Sequence, residues 1–258
     1  LIWIHTASLG EFEQGAPVLE KLRQAYPDHQ FLVTFFSPSG YEVKRDRLSP
    51  DLVTYLPMDT RRNASKFMRL AKPEIALFVK YEVWPAFFRE LDKAGIPILL
   101  LSAIFRQRQI YFKGYGGFLR KALRRVTHFY VQDTLSADLL GSLGIREATV
   151  SGDTRFDRVV EILEAPRELP FMERFRGERT CMVFGSTWPE DHEILLPFIN
   201  ASEKGCCFVI APHKTDPKTI EALQKGIRQP SALYSKRADA DLGEVSVLII
   251  DTIGLLTQ

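Results

Sequence analysis

The chain has 258 residues, 45% hydrophobic and 26% charged, which suits about two domains that each bury a core. A formal net charge of +2 is too mild for a dedicated nucleic-acid binder, and the three cysteines, Cys181, Cys206 and Cys207, form neither a CxxC pair nor an even disulfide framework, which favours a reducing compartment. The longest apolar stretch, Ile96 to Leu101 and on to Ile104, falls short of the ~20 residues a membrane helix needs.

In chain order, an apolar strand over Ile2 to Thr6 ends in the small-residue turn Ala7-Ser8-Leu9-Gly10. That turn delivers Glu11 to the start of a helix from Phe12 to Ala25, which carries Val18, Leu19 and Leu22 at helical spacing. Open α/β enzymes hold their ligands at the carboxyl ends of the strands, so Glu11 is a candidate base. The helix amino end favours its ionised form, and the plainer role for it is that of a first-turn helix residue. Further strands are predicted at Phe31–Phe36, Val53–Leu56, Ile75–Val79, Ile98–Leu101, His128–Val131 and Ala148–Val150, with helices between them. Short Val/Ile/Leu/Phe runs of this kind, rather than an apolar/polar zigzag, predict a parallel sheet covered on both faces.

The alternation breaks at residues 164–170, a charged, proline-bearing stretch that reads as a linker between a domain at 1–163 and another at 171–258. It then restarts with strands at Cys181–Phe184, Cys207–Ala211, Ala232–Tyr234 and Val245–Ile250, and helices at Pro189–Asn200 and Pro217–Gly226. The expected fold class is therefore α/β, with two doubly wound Rossmann-like domains, the second one truncated.

Several chemistries lack their signatures. The glycine cluster Gly114-Tyr115-Gly116-Gly117 follows no strand and lies within a basic helical stretch, so it is no dinucleotide fingerprint. The five histidines show no metal-ligand spacing, and Ser8 has no glycine two residues before it, as a nucleophile elbow would require. What remains are polar residues after strands. Lys80-Tyr81-Glu82-Val83-Trp84-Pro85 places Glu82 at the edge that holds Glu11, and Gly152-Asp153-Thr154-Arg155 places Arg155 there too. In the second half, Ala211-Pro212-His213-Lys214 and Asp251-Thr252-Ile253-Gly254-Leu255 also end strands in turns, the latter near a helix amino end suited to a phosphate. These features leave open a nucleotide-sugar transferase or epimerase, or a two-lobed membrane-peripheral binding protein without catalysis.

The segments HTASLGEFEQG, TFFSPSGYE, LPMDT, VKYEVWP, SAIFRQRQ, VSGDTRFDRV, FGSTWPEDH, IAPHK and LIIDTIGLL, in this order, resemble the bacterial lipid A 3-deoxy-D-manno-octulosonic acid (Kdo) transferases over essentially the whole chain. The resemblance implies a GT-B glycosyltransferase with two lobes facing across a cleft, an acceptor-binding first domain and a nucleotide-sugar-binding second one. It implies transfer of Kdo from CMP-Kdo to a lipid A precursor, lipid IVA, with inversion, in lipopolysaccharide core biosynthesis at the cytoplasmic face of the inner membrane. No metal and no cofactor beyond the donor substrate are implied. By the same resemblance Glu11 is the general base, Glu82 and Arg155 support the transition state, and Pro212, His213, Ile253, Gly254 and Leu255 contact CMP. His213 stands where other members carry Arg, and neutral imidazole binds anions less well than guanidinium. Relative to the family, the chain is expected to be an inactive fragment, starting after an amino-terminal anchor and stopping before a glycine-rich turn and a His-Asn-x-x-Glu segment.

From Lys93 to Gln132 there are eight Lys/Arg and no Asp/Glu, interleaved with Phe105, Tyr111, Phe112, Tyr115 and Phe118. This stretch reads either as a helix with a solvated basic face or as a docking surface for an anionic membrane and lipid A phosphates; the near charge balance elsewhere fits nucleic acid less well.

Overall fold

A computed structural model describes residues 1–46, 48, 52–164, 168–203, 205–252 and 255, and the chain divides into two compact units, Leu1–Glu161 and Ile162–Gln258. The first unit and the helix that closes it run β1 (Ile2–His5), α1 (Leu9–Ala25), β2 (Phe31–Phe35), α2 (Pro38–Lys44), β3 (Leu52–Tyr55), α3 (Arg61–Ala71), β4 (Ile75–Val79), α4 (Pro85–Lys93), β5 (Ile98–Ala103), α5 (Gly117–Leu123), β6 (His128–Val131), α6 (Thr134–Ser142), β7 (Ala148–Val150) and α7 (Thr154–Glu164). The strands form one parallel sheet in the order β3-β2-β1-β4-β5-β6-β7. The chain winds outwards from β1 to β3, then crosses back to lay β4 on the other flank of β1. The gap between β1 and β4 is thus the topological switch point, where doubly wound sheets hold their ligands.

Burial on both faces explains the apolar runs of the central strands β1, β2, β4 and β5, whereas the edge strands β3 and β7 are largely exposed, contrary to a sheet covered throughout. Trp3, Ala76 and Phe78 enter a core with Phe87, Phe88 and Leu91 of α4, while Ile2, Ile4 and Leu77 enter another with Phe12, Ala16 and Leu19 of α1. Successive residues of β1 and β4 alternate between the two cores because strand side chains have a period of two. Gly15 lets α1 lie close to the sheet, since a methyl group there would sit 3.0 Å from Val79 Cγ2. The seven expected strands all form; β5 runs two residues further than expected, and α1 begins three residues earlier, at Leu9.

The basic stretch is not one helix. It contains β5, a 3₁₀ turn at Ile110–Phe112, the seven-residue α5 and β6. The chain must turn at Gly116, where a Cβ would fall 1.9 Å from the carbonyl oxygen of Ile110. Phe105 and Tyr111 are buried, whereas Tyr115 and Phe118 are 79% and 71% exposed. Arg120 donates to the carbonyls of Tyr111, Lys113 and Gly114 and so ties the turn to the helix, Arg124 donates to that of Leu143 at the end of α6, and Arg125 to that of Lys121 within α5. Arg106, Arg108, Lys113 and Lys121 are exposed.

The second unit runs α8 (Pro170–Arg176), β8 (Thr180–Thr187), α9 (Pro189–Ala201), β9 (Cys206–Pro212), α10 (Pro217–Gly226), β10 (Ser231–Leu233) and β11 (Val247–Ile249), with a parallel sheet in the order β10-β11-β9-β8. Cys207, Val209 and Leu248 pack with Phe175 of α8 on one face; Phe208, Ile210, Val247 and Ile249 pack with Ile199 of α9 and Ile220 and Leu223 of α10 on the other.

Candidate active site

Glu11 is held by its own helix terminus. Ser8 caps α1, its Oγ accepting from the Glu11 N–H at 3.4 Å while Glu11 Oε2 accepts from the Ser8 N–H at 3.1 Å. This is the capping box that a Ser-x-x-Glu spacing encodes, so the plain helix role and the candidate catalytic role coexist in one side chain. Burial raises the Glu11 carboxyl above its ordinary value, and the charge of Glu82 raises it further; the backbone N–H groups of Ala7 and Ser8 and the charge of Lys80 oppose this and are outweighed. The helix amino end therefore does not set the balance, contrary to the reading from position alone.

Glu82 comes from the turn after β4, on the other side of the switch point. Trp84 Nε1 donates to its Oε2 at 2.9 Å, a contact set by the Glu-x-Trp spacing. His5, the last residue of β1, lies fully buried with Nε2 3.5 Å from the same oxygen and its ring edge-on to Trp84 and Phe78. Pro85 then opens α4, whose Ala86 and Phe87 N–H groups donate to Asp59 Oδ1 at 3.0 and 3.2 Å. The adjacent Thr60 caps α3 through the Asn63 N–H at 3.2 Å. The Asp59-Thr60 pair thus orients two helices at once, and the one it reaches across the fold carries the Glu82 turn. Lys80 (φ 74°) and Ser102 (φ 50°) occupy the left-handed region at the carboxyl ends of β4 and β5. Such strain in non-glycine residues gathers at functional sites.

Arg155 stands at the head of α7 and is 67% exposed on its side chain. Its Nε and Nη2 donate to Asp153 Oδ2 at 2.8 and 2.5 Å, while Asp153 Oδ1 accepts from Gln14 Nε2 at 3.1 Å. Burial pushes the Asp153 carboxyl up, but the hydrogen bonds from Arg155 and Gln14 and the Arg155 charge prevail and hold it below its ordinary value. Gln14 is one turn beyond Glu11 on α1, so Arg155 is docked to the helix that carries Glu11. Glu11 and Glu82 converge electrostatically; Arg155 is oriented by Asp153. Sequence reasoning missed His5, Thr34, Gln14, Asp59 and Asp153. A signal existed only for Gln14, three residues from Glu11, and Asp153, two before Arg155.

In the second unit, Pro212 ends β9 in a buried position and His213 projects into solvent. The His213 N–H donates to the Thr187 carbonyl at 2.8 Å, and its ring stacks on Trp188 with centroids 4.1 Å apart and planes 22° from parallel. Lys214 Nζ lies 5.9 Å from the same indole. Thr187, Trp188, His213, Lys214, Asp216 and Thr219 line a cavity of about 420 Å³ at this strand edge. Beneath it, Thr187 Oγ1 and His192 Nε2 are 2.9 Å apart, and burial pulls His192 below its ordinary value. Leu255 packs against the core formed with Phe175. Ile253 and Gly254 lie outside the described residues. Among the described residues, no three His, Cys, Asp or Glu side chains are grouped so as to hold a metal ion.

A family model described as 3-deoxy-D-manno-octulosonic-acid transferase (kdotransferase) matches residues 1–158. The chain is similar to the 3-deoxy-D-manno-octulosonic acid transferase of Rickettsia felis, at 27% identity over 98% of this chain and 55% of that protein. It is also similar to that of Rickettsia typhi, at 25% identity over 98% of this chain and 56% of that protein. It therefore spans about half the length of the curated relatives it matches. Among solved structures, the UDP-GlcNAc 2-epimerase of Neisseria meningitidis bound to UDP-GlcNAc aligns with a TM-score of 0.64 at 14% identity, covering 99% of this chain and 73% of that one. At that identity the likeness concerns the fold alone.

Proposed function

This chain belongs to the 3-deoxy-D-manno-octulosonic-acid transferase family, and from that premise we propose that it serves an inverting glycosyltransferase of GT-B type, moving Kdo from CMP-Kdo to lipid IVA in lipopolysaccharide core biosynthesis. The observation that carries the reading is the pairing of Glu11 and Glu82 at the switch point, where burial and the neighbouring carboxylate make Glu11 a better proton acceptor than a solvated glutamate. A sugar hydroxyl is a poor nucleophile. Glu11 takes its proton as the oxygen attacks the anomeric carbon opposite the departing CMP, a role that contributes about a hundred- to ten-thousand-fold. CMP leaves as a phosphate, so the leaving group needs charge stabilisation more than a proton. Lys214 supplies a cation in the second unit, and the Trp188–His213 stack offers an aromatic surface beside it. Arg155, held by Asp153, offsets the negative charge of the Kdo carboxylate. Pro212, His213, Ile253, Gly254 and Leu255 are the proposed CMP contacts. Metal is not part of this mechanism.

Ile110, Tyr115 and Phe118, with the exposed cations Arg106, Arg108, Lys113 and Lys121, form the surface proposed to meet an anionic leaflet, the cytoplasmic face of the inner membrane being the proposed location. The direct test is mass spectrometry of lipid IVA incubated with the intact protein and either CMP-Kdo or a UDP-sugar. A Kdo adduct formed only from CMP-Kdo is expected. Turnover or epimerisation of the UDP-sugar with no Kdo adduct would replace this reading.

A further inference from the structure

His5 is a fully buried histidine that the proposed chemistry does not use. Its ring has two nitrogens and each faces one polar group. Nδ1 is 2.9 Å from Thr34 Oγ1, because the parallel register of β1 and β2 sets His5 opposite Thr34. Nε2 makes no hydrogen bond of ordinary length and points at Glu82 Oε2, 3.5 Å away. The same Thr34 hydroxyl accepts from Trp3 Nε1 at 2.8 Å. Phe78 and Trp84 close the ring in edge-on, and Glu82 is the charged group that faces it.

Counting protons settles the direction of this chain. Trp3 Nε1 is only a donor, so Thr34 Oγ1 receives its hydrogen and keeps its own to give. If the Thr34 hydroxyl donates to His5 Nδ1, the imidazole proton sits on Nε2 and points at the Glu82 carboxylate 3.5 Å away, so Trp3 Nε1, Thr34 Oγ1 and His5 Nδ1 each have a partner and Nε2 faces an acceptor. The reverse form, with the proton on Nδ1, turns the Nε2 lone pair on a carboxylate and strands the Thr34 hydrogen. The Nδ1 proton would then go to the Thr34 hydroxyl or, as a second hydrogen bond, to the Thr34 carbonyl, which also accepts from the Thr6 N–H at 3.0 Å, and in neither case does the Thr34 hydrogen gain an acceptor among the described residues. Burial disfavours the doubly protonated ring and holds the His5 imidazole below its ordinary value.

We propose that Trp3, Thr34 and His5 form a buried one-way donor chain ending on Glu82, which makes His5 a positioning residue for that carboxylate. The inference rests on the reading of Glu82 given above. With Trp84 Nε1 on the same oxygen, two neutral donors, one from β1 and one from the turn after β4, fix the carboxylate's rotation while leaving its charge intact, and the 3.5 Å contact tightens when substrate excludes water. A neutral donor here orients Glu82 without cancelling the field that Glu82 exerts on Glu11.

The first test needs no turnover. Long-range ¹H–¹⁵N spectra of the chain labelled in histidine, with His5 assigned from His5→Phe, should show a neutral ring protonated on Nε2 at pH 7. A ring protonated on Nδ1, or an imidazolium, overturns the proposal. Thr34→Val keeps the shape and removes the hydroxyl; it should move the Nδ1 resonance to that of a ring nitrogen whose lone pair has lost its hydrogen bond, and Thr34→Ser should restore it. In the transfer assay Thr34→Val should lower kcat about ten-fold with KM unchanged, again restored by serine, because misaligned groups cost rate rather than ground-state binding. A valine variant with an unchanged spectrum, or a rate loss that serine does not repair, also overturns it. Full activity in Glu82→Gln alongside the expected spectra would instead overturn the proposed function and leave the buried donor chain standing.

Discussion

Replacing Glu11 by glutamine separates its catalytic role from its structural one. The wild-type carboxyl titrates above its ordinary value of 4.5 because it is buried and faces Glu82. A group raised in the folded state binds its proton more tightly there than in the unfolded chain. The stability this confers is complete below about pH 4.5 and is lost as pH rises through the folded-state value. At pH 7 the ionised Glu11 therefore costs the fold stability that a neutral side chain of the same shape does not. The substituted glutamine retains an oxygen that can accept from the Ser8 N–H, so the capping box survives. The gain should be on the order of 1 kcal/mol, as for other polar residues retained for function. In a unit of this size that raises the melting temperature by about 2–4 °C. Glu11→Ala loses the acceptor, worth about 1 kcal/mol, and should show no such gain. The same glutamine variant should lose about a hundred- to ten-thousand-fold in kcat, roughly 2.7–5.4 kcal/mol of transition-state stabilisation. The assays are calorimetric melting at pH 7 and pH 4 together with initial rates of Kdo transfer. Turnover within ten-fold of wild type would refute the base assignment. A melting difference that persists unchanged at pH 4 would refute the electrostatic argument.

Asp59→Ala removes the acceptor for the Ala86 and Phe87 N–H groups and should cost about 1–2 kcal/mol, read as a lower melting temperature with Glu82-dependent activity reduced in step. Glu82→Gln deletes the charge that raises Glu11, so the acid limb of the kcat/KM profile should move to lower pH; an upward move would contradict the pairing. Trp188→Ala removes the surface on which His213 stacks and should weaken CMP binding by calorimetry, with UDP as the reference ligand. Tyr115→Ser with Phe118→Ser should reduce co-sedimentation with anionic vesicles, the remainder falling with salt; unchanged partitioning would remove this loop from the membrane surface.

The elements of this protein were legible locally because their causes are local. Seven runs rich in Val, Ile, Leu and Phe read as strands, although β3 and β7 at the sheet edges are largely exposed, and Ser8-Leu9-Gly10-Glu11 and Glu82-Val83-Trp84-Pro85 each encode contacts within one turn of chain. From these, the α/β class and the strand-end position of Glu11, Glu82 and Arg155 follow without coordinates. What the tertiary structure alone decided involves partners far apart in the chain. The crossing back of β4 to the flank of β1 brings Glu82 to Glu11, and burial there reverses the effect expected from the helix terminus. Arg155 meets Asp153 and, through it, Gln14, 139 residues earlier than Asp153. His5 meets Thr34 because β1 and β2 pair in one register out of several that their apolar patterns allow. Which aromatic residues of the basic stretch are buried depends on a glycine turn packed against the Ile110 carbonyl, a steric fact that no periodicity contains. Hydrophobic period and capping chemistry act over a few residues; desolvation and charge pairing act only once strand order has chosen the neighbours.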